Sequence, residues 1–341
     1  MSIRSITLLG LVTLVAAFTA AGQGSATQTG CTRTITRADE VHAALAAASP
    51  GNTLCFSGAD LAGAALMMTR SGTADAPIRL VSDGSTVHEV QIIADYVLIQ
   101  GFTIAGGGEL LLSGTGIIAQ KNTVRDTQRN GIVCASCIDS TIESNAVHHA
   151  AATGISIGGQ RITVRSNVVS ATVAGAEGSA IGVRFFGNGH RVLSNTIQDI
   201  SGNGDPTTPP PACFQTFDTG RPPTFDVVIL GNACGNVDGH CLIATGDESG
   251  NGDAPRDARS ITFTGNTCAV TGDQAVSLRR WPNADIHKNR LSGPSLKRGI
   301  AISDGSTGCT VKANTTPADV PAVEIDDSSR PGFQDQDKNP F

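Results

Sequence analysis

The chain has 341 residues, a net charge of -6, 40 glycines and only 4% aromatic residues. A net negative charge provides no global basic field, which argues against nucleic acid or an anionic membrane as the partner. The high glycine content and the scarcity of aromatic residues do not suit a helical bundle. The composition therefore predicts many short strands joined by tight turns.

The N-terminus has the three-part pattern of a secretory signal. Met1–Arg4 is a short basic start, an uncharged apolar run follows, and small residues end the segment. We assign residues 1–25 to a signal peptide and predict a secreted, extracellular protein. No other stretch is long and apolar enough to cross a bilayer, so we expect no membrane partner.

A short helix is predicted next, within the sequence TRADEVHAALAAASPGNTLCFSG. We place it at Ala38–Ala48 and treat residues 26–60 as an N-terminal cap. A helix in this position would cover strand edges that an open-ended core otherwise exposes.

One unit recurs through residues 61–325: alternating apolar residues, an asparagine, an apolar pair, a polar turn and a glycine-led apolar strand. Successive asparagines lie 22 to 37 residues apart, which suits rungs of about three short strands with one buried face. Stacked rungs of a parallel β-helix bury a core that no single rung could bury. Asparagine suits a rung corner because it tolerates the left-handed backbone and its amide can bond to the next rung. The repeat asparagines are Asn122, Asn145, Asn167, Asn195, Asn232, Asn266, Asn289 and Asn314.

Over residues 31–325 the sequence resembles the right-handed parallel β-helix proteins of the pectate-lyase-like superfamily. The asparagine-marked repeat and the entry segment carry this resemblance, together with SGTADAPIRLVSDG, which is similar to the first-rung pattern of the family. It implies an all-β, right-handed single-stranded parallel β-helix with a short N-terminal capping helix. We expect a monomer, with residues 326–341 as a flexible tail.

Nine cysteines in an exported chain predict disulfides rather than metal ligation. Cys234 and Cys268 each lie two residues after a repeat asparagine, so stacked rungs would place their Cα atoms ~4.8 Å apart, within disulfide range. The remaining expectations are Cys213 with Cys241, Cys31 with Cys55 as a staple of the cap, a local bridge or two free thiols at Cys134 and Cys137, and Cys309 left over.

Three long insertions interrupt the repeat on both sides of the strands at Cys213 and Cys241: SGNGDPTTPPP, DTGRPP and ATGDESGNGDAPRDA. Because repeat proteins place insertions on one working face, we expect them to wall a groove over these strands. Counting alternation along the glycine-led strands predicts mostly small outward residues, among them Gly182 and Leu242, and a second outward column that holds both Arg184 and Arg279. In ACFQTFD the phase stays open between Gln215 and its neighbours.

Candidate substrate-binding residues follow from this groove. The arginine fork suits a carboxylate or sulfate, which makes Arg184 a candidate, with Gln215 as a polar neighbour. Trp281, in LRRWPN, is a candidate sugar platform or groove wall, and the alternative is packing on a neighbouring turn. Phe185, Phe186, Phe214 and Phe217 are further residues that could stack on sugars, although some of them must instead cover the core.

The resemblance implies further roles. Lyases of this superfamily hold Ca²⁺ with carboxylates of this face, and an arginine or lysine removes the C5 proton of a uronate. Carried over, this makes Arg279 or Arg280 the candidate base. Independently of the resemblance, His240 in VDGHCL is a candidate acid or base because it titrates near neutral pH, and the alternative is a structural loop histidine. The candidate Ca²⁺ ligands are Asp218, Asp238 and Glu248. For each acid the alternative is a turn residue bonded to the backbone.

The leading functional hypothesis is a carbohydrate-active β-helix protein, a polysaccharide lyase that cleaves a uronic-acid-containing polymer by β-elimination. The alternatives are a glycoside hydrolase, which needs two carboxylates flanking the bond, and a non-catalytic polysaccharide-binding protein. The signature motifs of the best-known pectate lyases, polygalacturonases, pectin methylesterases and mannuronan epimerases do not occur in the sequence. The fold is therefore better supported than any one activity.

Overall fold

The computed structural model describes residues 30–175, 180–204, 208–218, 220–246 and 258–337. The predicted signal peptide at residues 1–25 lies outside this part of the chain. Within it, no helix has the length and apolar character that a membrane crossing requires.

The described residues form short strands in three parallel sheets. Sheet I contains β1 (Arg33–Arg37), β2 (Thr53–Asp60), β4 (Ile78–Ser82), β7 (Val97–Gln100), β10 (Ile118–Gln120), β13 (Thr141–Glu143), β16 (Thr163–Arg165), β19 (Arg191–Leu193), β22 (Val227–Leu230), β25 (Ile261–Thr264), β28 (Asp285–His287), β31 (Thr310–Lys312) and β33 (Gln334–Asp335). Sheet II contains β5 (Thr86–Val87), β8 (Thr103–Ile104), β11 (Thr123–Thr127), β14 (Ala146–Ala150), β17 (Val168–Ser170), β20 (Thr196–Ile200), β23 (Ala233–Val237), β26 (Thr267–Val270) and β29 (Arg290–Ser292). Sheet III contains β3 (Ala65–Met68), β6 (Glu89–Ile93), β9 (Leu110–Thr115), β12 (Asn130–Ile138), β15 (Thr153–Gln160), β18 (Ile181–Phe185), β21 (Ala212–Phe217), β24 (His240–Thr245), β27 (Gln274–Arg279), β30 (Arg298–Ser303) and β32 (Val323–Ile325).

The chain visits the three sheets in turn, so that β10, β11 and β12 make one rung and β13, β14 and β15 the next. Each strand pairs in parallel with its equivalents in the rungs before and after it. Alternate side chains of all three sheets meet in one apolar core along the axis. The predicted all-β, single-stranded parallel β-helix is confirmed, and strand pairing already starts at Arg33, inside the segment assigned to the cap.

The predicted capping helix is also confirmed, as α1 (Ala38–Ala46), which ends two residues earlier than expected. It turns Val41, Ala44 and Leu45 inward, and these side chains join the same core as the rungs. The helix contacts β1 and β3, the first strands of sheets I and III. It therefore covers the N-terminal end of the core.

A ladder of asparagine side chains runs along the corner that follows sheet I. At Asn195, Oδ1 accepts hydrogen bonds from the backbone N–H of Asn167 at 2.9 Å and from its Nδ2 at 3.0 Å. The Nδ2 of Asn195 donates to the carbonyl of Val164 at 3.0 Å and to Oδ1 of Asn232 at 2.9 Å. The same pattern continues through the other repeat asparagines. The expectation that these amides join neighbouring rungs is confirmed.

The left-handed backbone at this corner belongs to the residue before each asparagine and not to the asparagine itself. Lys121, Ser144 and Ser194 have φ values of 53°, 55° and 52°, and glycine occupies the equivalent position before Asn232 and Asn266. None of the eight ladder asparagines has a positive φ. That part of the sequence prediction is wrong, because the turn is made one residue earlier so that the amide can point inward between rungs.

Four disulfides are formed, and their pairing differs in part from the expectation. Cys234 and Cys268 do stack in register in sheet II, but each bonds across the corner to sheet III. Their Cα atoms lie 6.2 Å and 5.9 Å from those of their partners, which also fits disulfide geometry. The bonds are Cys31–Cys55 and a local Cys134–Cys137, both expected, and Cys213–Cys234 and Cys241–Cys268, which replace the predicted Cys234–Cys268 and Cys213–Cys241.

The ninth cysteine, Cys309, is free and buried, as the count predicts. Burial raises the pKa of its thiol to about 11, so it stays protonated and unreactive at neutral pH. Four disulfides are typical of proteins from an oxidising compartment.

The prediction of a flexible tail from residue 326 is wrong as far as residue 337. A single 3-10 turn, Asp327–Ser329, follows the last rung, and β33 pairs with β31. The carboxylate of Asp337 then accepts a hydrogen bond from the backbone of Ala313 at 2.7 Å. These backbone and side-chain bonds attach the segment to the final rung.

We expect Asn195→Ala to lower the free energy of unfolding by roughly 3 kcal/mol, because it leaves the N–H and amide of Asn167 and the carbonyl of Val164 without their buried partner. Asn314→Ala, at the half-buried C-terminal end of the ladder, should cost clearly less. Urea unfolding of both variants measures the difference. Equal losses in the two variants would contradict a ladder that holds the rungs through buried amides.

Candidate functional site

The strand register of sheet III fixes which side chains face outward. Ser156 of β15 pairs with Arg184 of β18, which pairs with Gln215 of β21, followed by Ile243 and Ser277. These residues make one outward column with a rise of about 4.8 Å per rung. The phase left open in ACFQTFD is thereby settled, with Gln215 facing outward.

Two residues predicted to face outward, Gly182 and Leu242, face the core instead. A Cβ on Gly182 would lie 2.5 Å from Cγ2 of the core residue Ile197, and Leu242 is fully buried in the core. At the start of these strands two successive residues point into the core, Gly182 with Val183 in β18 and Cys241 with Leu242 in β24. The alternation of inward and outward side chains therefore begins one residue later than the sequence predicts. Arg184 and Arg279 are three rungs apart as expected but stand in neighbouring columns.

A groove of about 380 Å³ opens on this face over β12, β15 and β18. Its floor consists of small residues: Ala135, Ser156, Gly158 and Gly159. Gly159 has a φ of 108°, and a Cβ there would lie 2.1 Å from the carbonyl oxygen of Cys137 one rung earlier. The floor is therefore bare backbone at this point, and any side chain would disturb the stacking of two rungs.

Three arginines line the groove: Arg129, Arg184 and Arg221. None of the described lining residues is acidic. Guanidinium groups hold a permanent charge and bind carboxylate or sulfate through paired hydrogen bonds. The groove therefore favours an anionic ligand. The sequence predicted this preference from Arg184 alone.

Aromatic rings hold the wall that follows β21. Phe186 and Phe217 pack edge to face with ring centroids 4.9 Å apart. The guanidinium carbon of Arg221 lies 4.8 Å from the centroid of Phe186 and 5.9 Å from that of Phe217, and such cation–π contacts contribute about 0.5–2 kcal/mol. The backbone N–H of Arg221 donates to the carbonyl of Asp218 at 2.9 Å, which closes the turn that presents this arginine.

The structure brings two predicted substrate-binding residues together. The Nε of Arg184 donates to Oε1 of Gln215 at 2.9 Å, and the guanidinium lies 5.9 Å from the ring of Phe217. Gln215 is only 6% exposed. It orients the arginine at the end of the groove.

Sequence reasoning missed Arg129 and Arg221. Arg129 lies before β12, on the side of sheet III opposite to Arg221, and its Nε is 3.8 Å from Oε1 of Glu109. Arg221 could have been predicted from the sequence, since it belongs to the insertion DTGRPP, which was expected to form a groove wall. Nothing in the repeat distinguishes Arg129 from an ordinary solvated residue.

The cluster at LRRWPN lies away from the groove. Arg279 stands three rungs beyond Arg184 and pairs with Asp304, with Nε to Oδ2 at 2.6 Å. Arg280 adopts a left-handed φ of 51°, and this turn directs Trp281 into the core, where it is fully buried. The expectation that Trp281 stacks on a sugar is wrong, because the residue packs in the main core, more deeply than the alternative of packing on a neighbouring turn implied.

His240 is the first residue of β24 and is 9% exposed. Its Nδ1 lies 2.7 Å from the carbonyl of Gln274, so Nδ1 carries the hydrogen and donates. Burial lowers the pKa of the ring, which keeps it neutral near pH 7. It starts a strand two rungs beyond β18 and does not line the groove.

The carboxylates expected to hold Ca²⁺ do not converge. Asp218 follows the end of β21, whereas Asp238 precedes the start of β24, the strand that pairs with it. Six strand residues separate the two acids, roughly 20 Å at the usual rise, and Glu248 lies outside the described residues. In the part of the chain that is described, the one cluster of three possible ligands is Cys234, Cys241 and Cys268, all disulfide-bonded. Calcium binding stays a prediction.

On the outer face over β21 and β24, where the groove was expected, the outward side chains are buried. Ile181, Ala212 and Ile243 form a buried apolar cluster separate from the main core, although all three lie on the outward side of sheet III. The open groove therefore lies over the rungs before these strands. Of the strands at Cys213 and Cys241, only the first contributes to a groove wall, through the turn after it.

His190 supports the aromatic wall from below. It is fully buried, its Nε2 donates to the carbonyl of Phe186 at 2.8 Å, and its Nδ1 accepts from the backbone N–H of Ile162 at 3.2 Å. Both bonds together require the neutral ring. Burial lowers its pKa below the ordinary 6.5.

No protein-family model and no curated protein matches the chain, but solved structures do. An alginate lyase from Paenibacillus sp. shares 16% identity at a TM-score of 0.56, covering 89% of this chain and 99% of its own. An α-1,3-glucanase from Streptomyces thermodiastaticus shares 12% at 0.56, covering 92% and 68%. A lacto-N-biosidase from Eubacterium ramulus shares 12% at 0.55, covering 86% and 63%. Identities this low show the fold alone. The chain therefore shares its parallel β-helix fold with these enzymes.

We expect stability to fall as the pH drops below about 6.5, because the unfolded chain then binds a proton at His190 that the folded chain excludes. The loss should continue down to the lowered folded pKa, and His240 contributes in the same direction. His190→Ser should be less stable at pH 7.5 but lose less stability on acidification. Urea unfolding across this range measures both slopes, and parallel slopes would contradict the role given to His190.

Proposed function

We propose that this protein binds a uronic-acid-containing polysaccharide in the three-arginine groove and cleaves it by β-elimination. The observation that carries the proposal is a groove lined by Arg129, Arg184 and Arg221, with no acidic residue among its described lining. A polymer with a carboxylate on each sugar matches this charge, because guanidinium groups bind carboxylates through paired hydrogen bonds.

The reaction needs the carboxylate beside C5 to be neutralised before the C5 proton becomes acidic enough to leave. Arg184, oriented by Gln215, and Arg221, held over the phenylalanine rings, supply this charge from a fixed position. A base takes the C5 proton, the C5–H electron pair forms the C4=C5 double bond, and the C4–O bond breaks with its electron pair on the leaving oxygen. That oxygen then takes up a proton from the protonated base or from solvent. No water is consumed.

For the base we assign Arg129 on the opposite wall, which acts only in its neutral guanidine form and is 68% exposed to the solvent that accepts its proton. The assignment rests on the use of arginine as base in the lyases that the sequence resembles. The sequence candidates Arg279 and Arg280 stay predictions, and Arg279 lies three rungs away and is engaged by Asp304. Arg129→Ala and Arg279→Ala distinguish the two, since replacing the true base should abolish turnover while the remaining groove arginines still bind the polymer.

A glycoside hydrolase would need two carboxylates on either side of the scissile bond, and the described lining supplies none. A binding protein without catalysis is the second candidate, because guanidinium groups stay protonated near neutral pH and hold an anion without any chemistry. A turnover assay distinguishes this binding protein from the proposed lyase.

The first test uses the mature protein with a panel of polyuronates, including alginate because one structural neighbour is an alginate lyase. We expect the ultraviolet absorbance of unsaturated uronate to rise on at least one polymer. Reducing ends without unsaturation would indicate a hydrolase, and binding without products would indicate the binding protein. Absence of binding to every polyuronate would overturn the proposal.

Arg184→Ala and Arg221→Ala should each weaken polyuronate binding about 10- to 100-fold, the equivalent of a charge-assisted hydrogen bond of about 1.5–3 kcal/mol. The matched control is Arg165→Ala, an exposed arginine of sheet I that pairs with Glu143. Calorimetric titration at two salt concentrations measures the affinities. A control that weakens binding equally would show that the effect is one of overall charge.

Because arginines can neutralise the substrate without a metal, we expect a calcium chelator to leave polyuronate affinity unchanged within twofold. Titrations with and without chelator, on polymer freed of divalent ions, measure this. A large loss that added Ca²⁺ restores would return the carboxylates of this face to a metal-binding role.

A further inference from the structure

We infer that the groove is closed at one end and therefore takes the end of a polysaccharide chain, not its interior. The inference rests on the proposed function and concerns the form of the substrate. It depends on the outward column of sheet III, whose exposure changes from one rung to the next.

Toward the N-terminus, the outward column stays open. Before Ser156 it continues through Val133, Leu111 and Gln91, which are half-buried, to Met67, which is 54% exposed. A chain lying along the axis can leave the groove in this direction without meeting a wall.

Toward the C-terminus, the same column closes abruptly. Gln215 is 6% exposed and Ile243 9%, although both point outward. Beside them Ile181 and Ala212 are fully buried, in the separate apolar cluster. A sugar placed one rung beyond Arg184 would find no accessible surface.

The residues at the closure have the chemistry to bind a terminal sugar. Arg184 and Gln215 form the end of the floor, and Phe217 and Arg221 form the wall beside it. The groove volume of about 380 Å³ lies near the lower limit of ligand pockets, about 300–1,000 Å³. A pocket of this size holds a short segment whose last carboxylate faces the arginines.

The test measures how many protein molecules bind one polymer chain as the chain lengthens. Size-fractionated polyuronates of short, medium and long chains are titrated against whichever of the Arg129→Ala and Arg279→Ala variants has lost turnover, so that the polymer stays intact. End binding gives one protein per chain at every length. A number that rises in proportion to length would overturn the inference, even if the proposed function holds.

Two tryptophan variants in the same column test the closure directly. Leu111→Trp, on the open side, should weaken polymer binding at least fivefold, whereas Ser277→Trp, beyond the closed end, should leave it unchanged. Equal loss in both would show that the chain runs past Arg184. Polymers blocked at the reducing end or at the non-reducing end then identify which terminus enters.

The products of cleavage give an independent readout. A closed groove releases unsaturated products of one small size from the first turnovers, while the viscosity of the polymer falls slowly. A rapid fall in viscosity with mixed product sizes would contradict it. Absence of binding and cleavage on all polyuronates would instead refute the proposed function.

Discussion

The structure depends on one interaction, the hydrogen bond from each corner asparagine to the next. A single amide joins three successive rungs, because Oδ1 accepts from the rung before it while Nδ2 donates both backward and forward. Such a group satisfies buried backbone polar atoms and permits only one register between rungs. Because register fixes which residues of sheet III share a column, the position of the groove follows from it.

The groove combines a rigid part and a variable part. Its floor is backbone whose approach to the neighbouring rung excludes side chains, as at Gly159. Its wall comes from a loop, and aromatic packing gives that loop a definite position over Phe186 and Phe217. A fixed floor with charged walls orders its ligand contacts before binding, which lowers the entropic cost of association.

The repeat sufficed to predict the β-helix, the cap helix and the ladder, since each rests on a pattern that recurs or on a strong local preference. Of the residues at the groove, the sequence analysis singled out Arg184 and its neighbour Gln215 but not Arg129 or Arg221. Alternation could not locate the two successive inward residues at each corner, and this misplaced Gly182 and Leu242. The positions of the cysteines in the repeat also could not distinguish a Cys234–Cys268 bond between stacked strands from the observed bonds across the corner, because both arrangements have Cα distances that a disulfide can span. Trp281 was misjudged because the left-handed turn at Arg280, which buries it, leaves no mark in the sequence.

Two disulfides cross the corner between sheets II and III. Cys213–Cys234 encloses the loop that carries Arg221, and Cys241–Cys268 encloses the insertion after β24. Each loop thus begins and ends within covalently joined rungs. Its length and sequence can diverge, or its backbone can be cut by a protease, while the strands on either side stay attached. Selection can therefore remodel ligand recognition in this region with little risk to the solenoid.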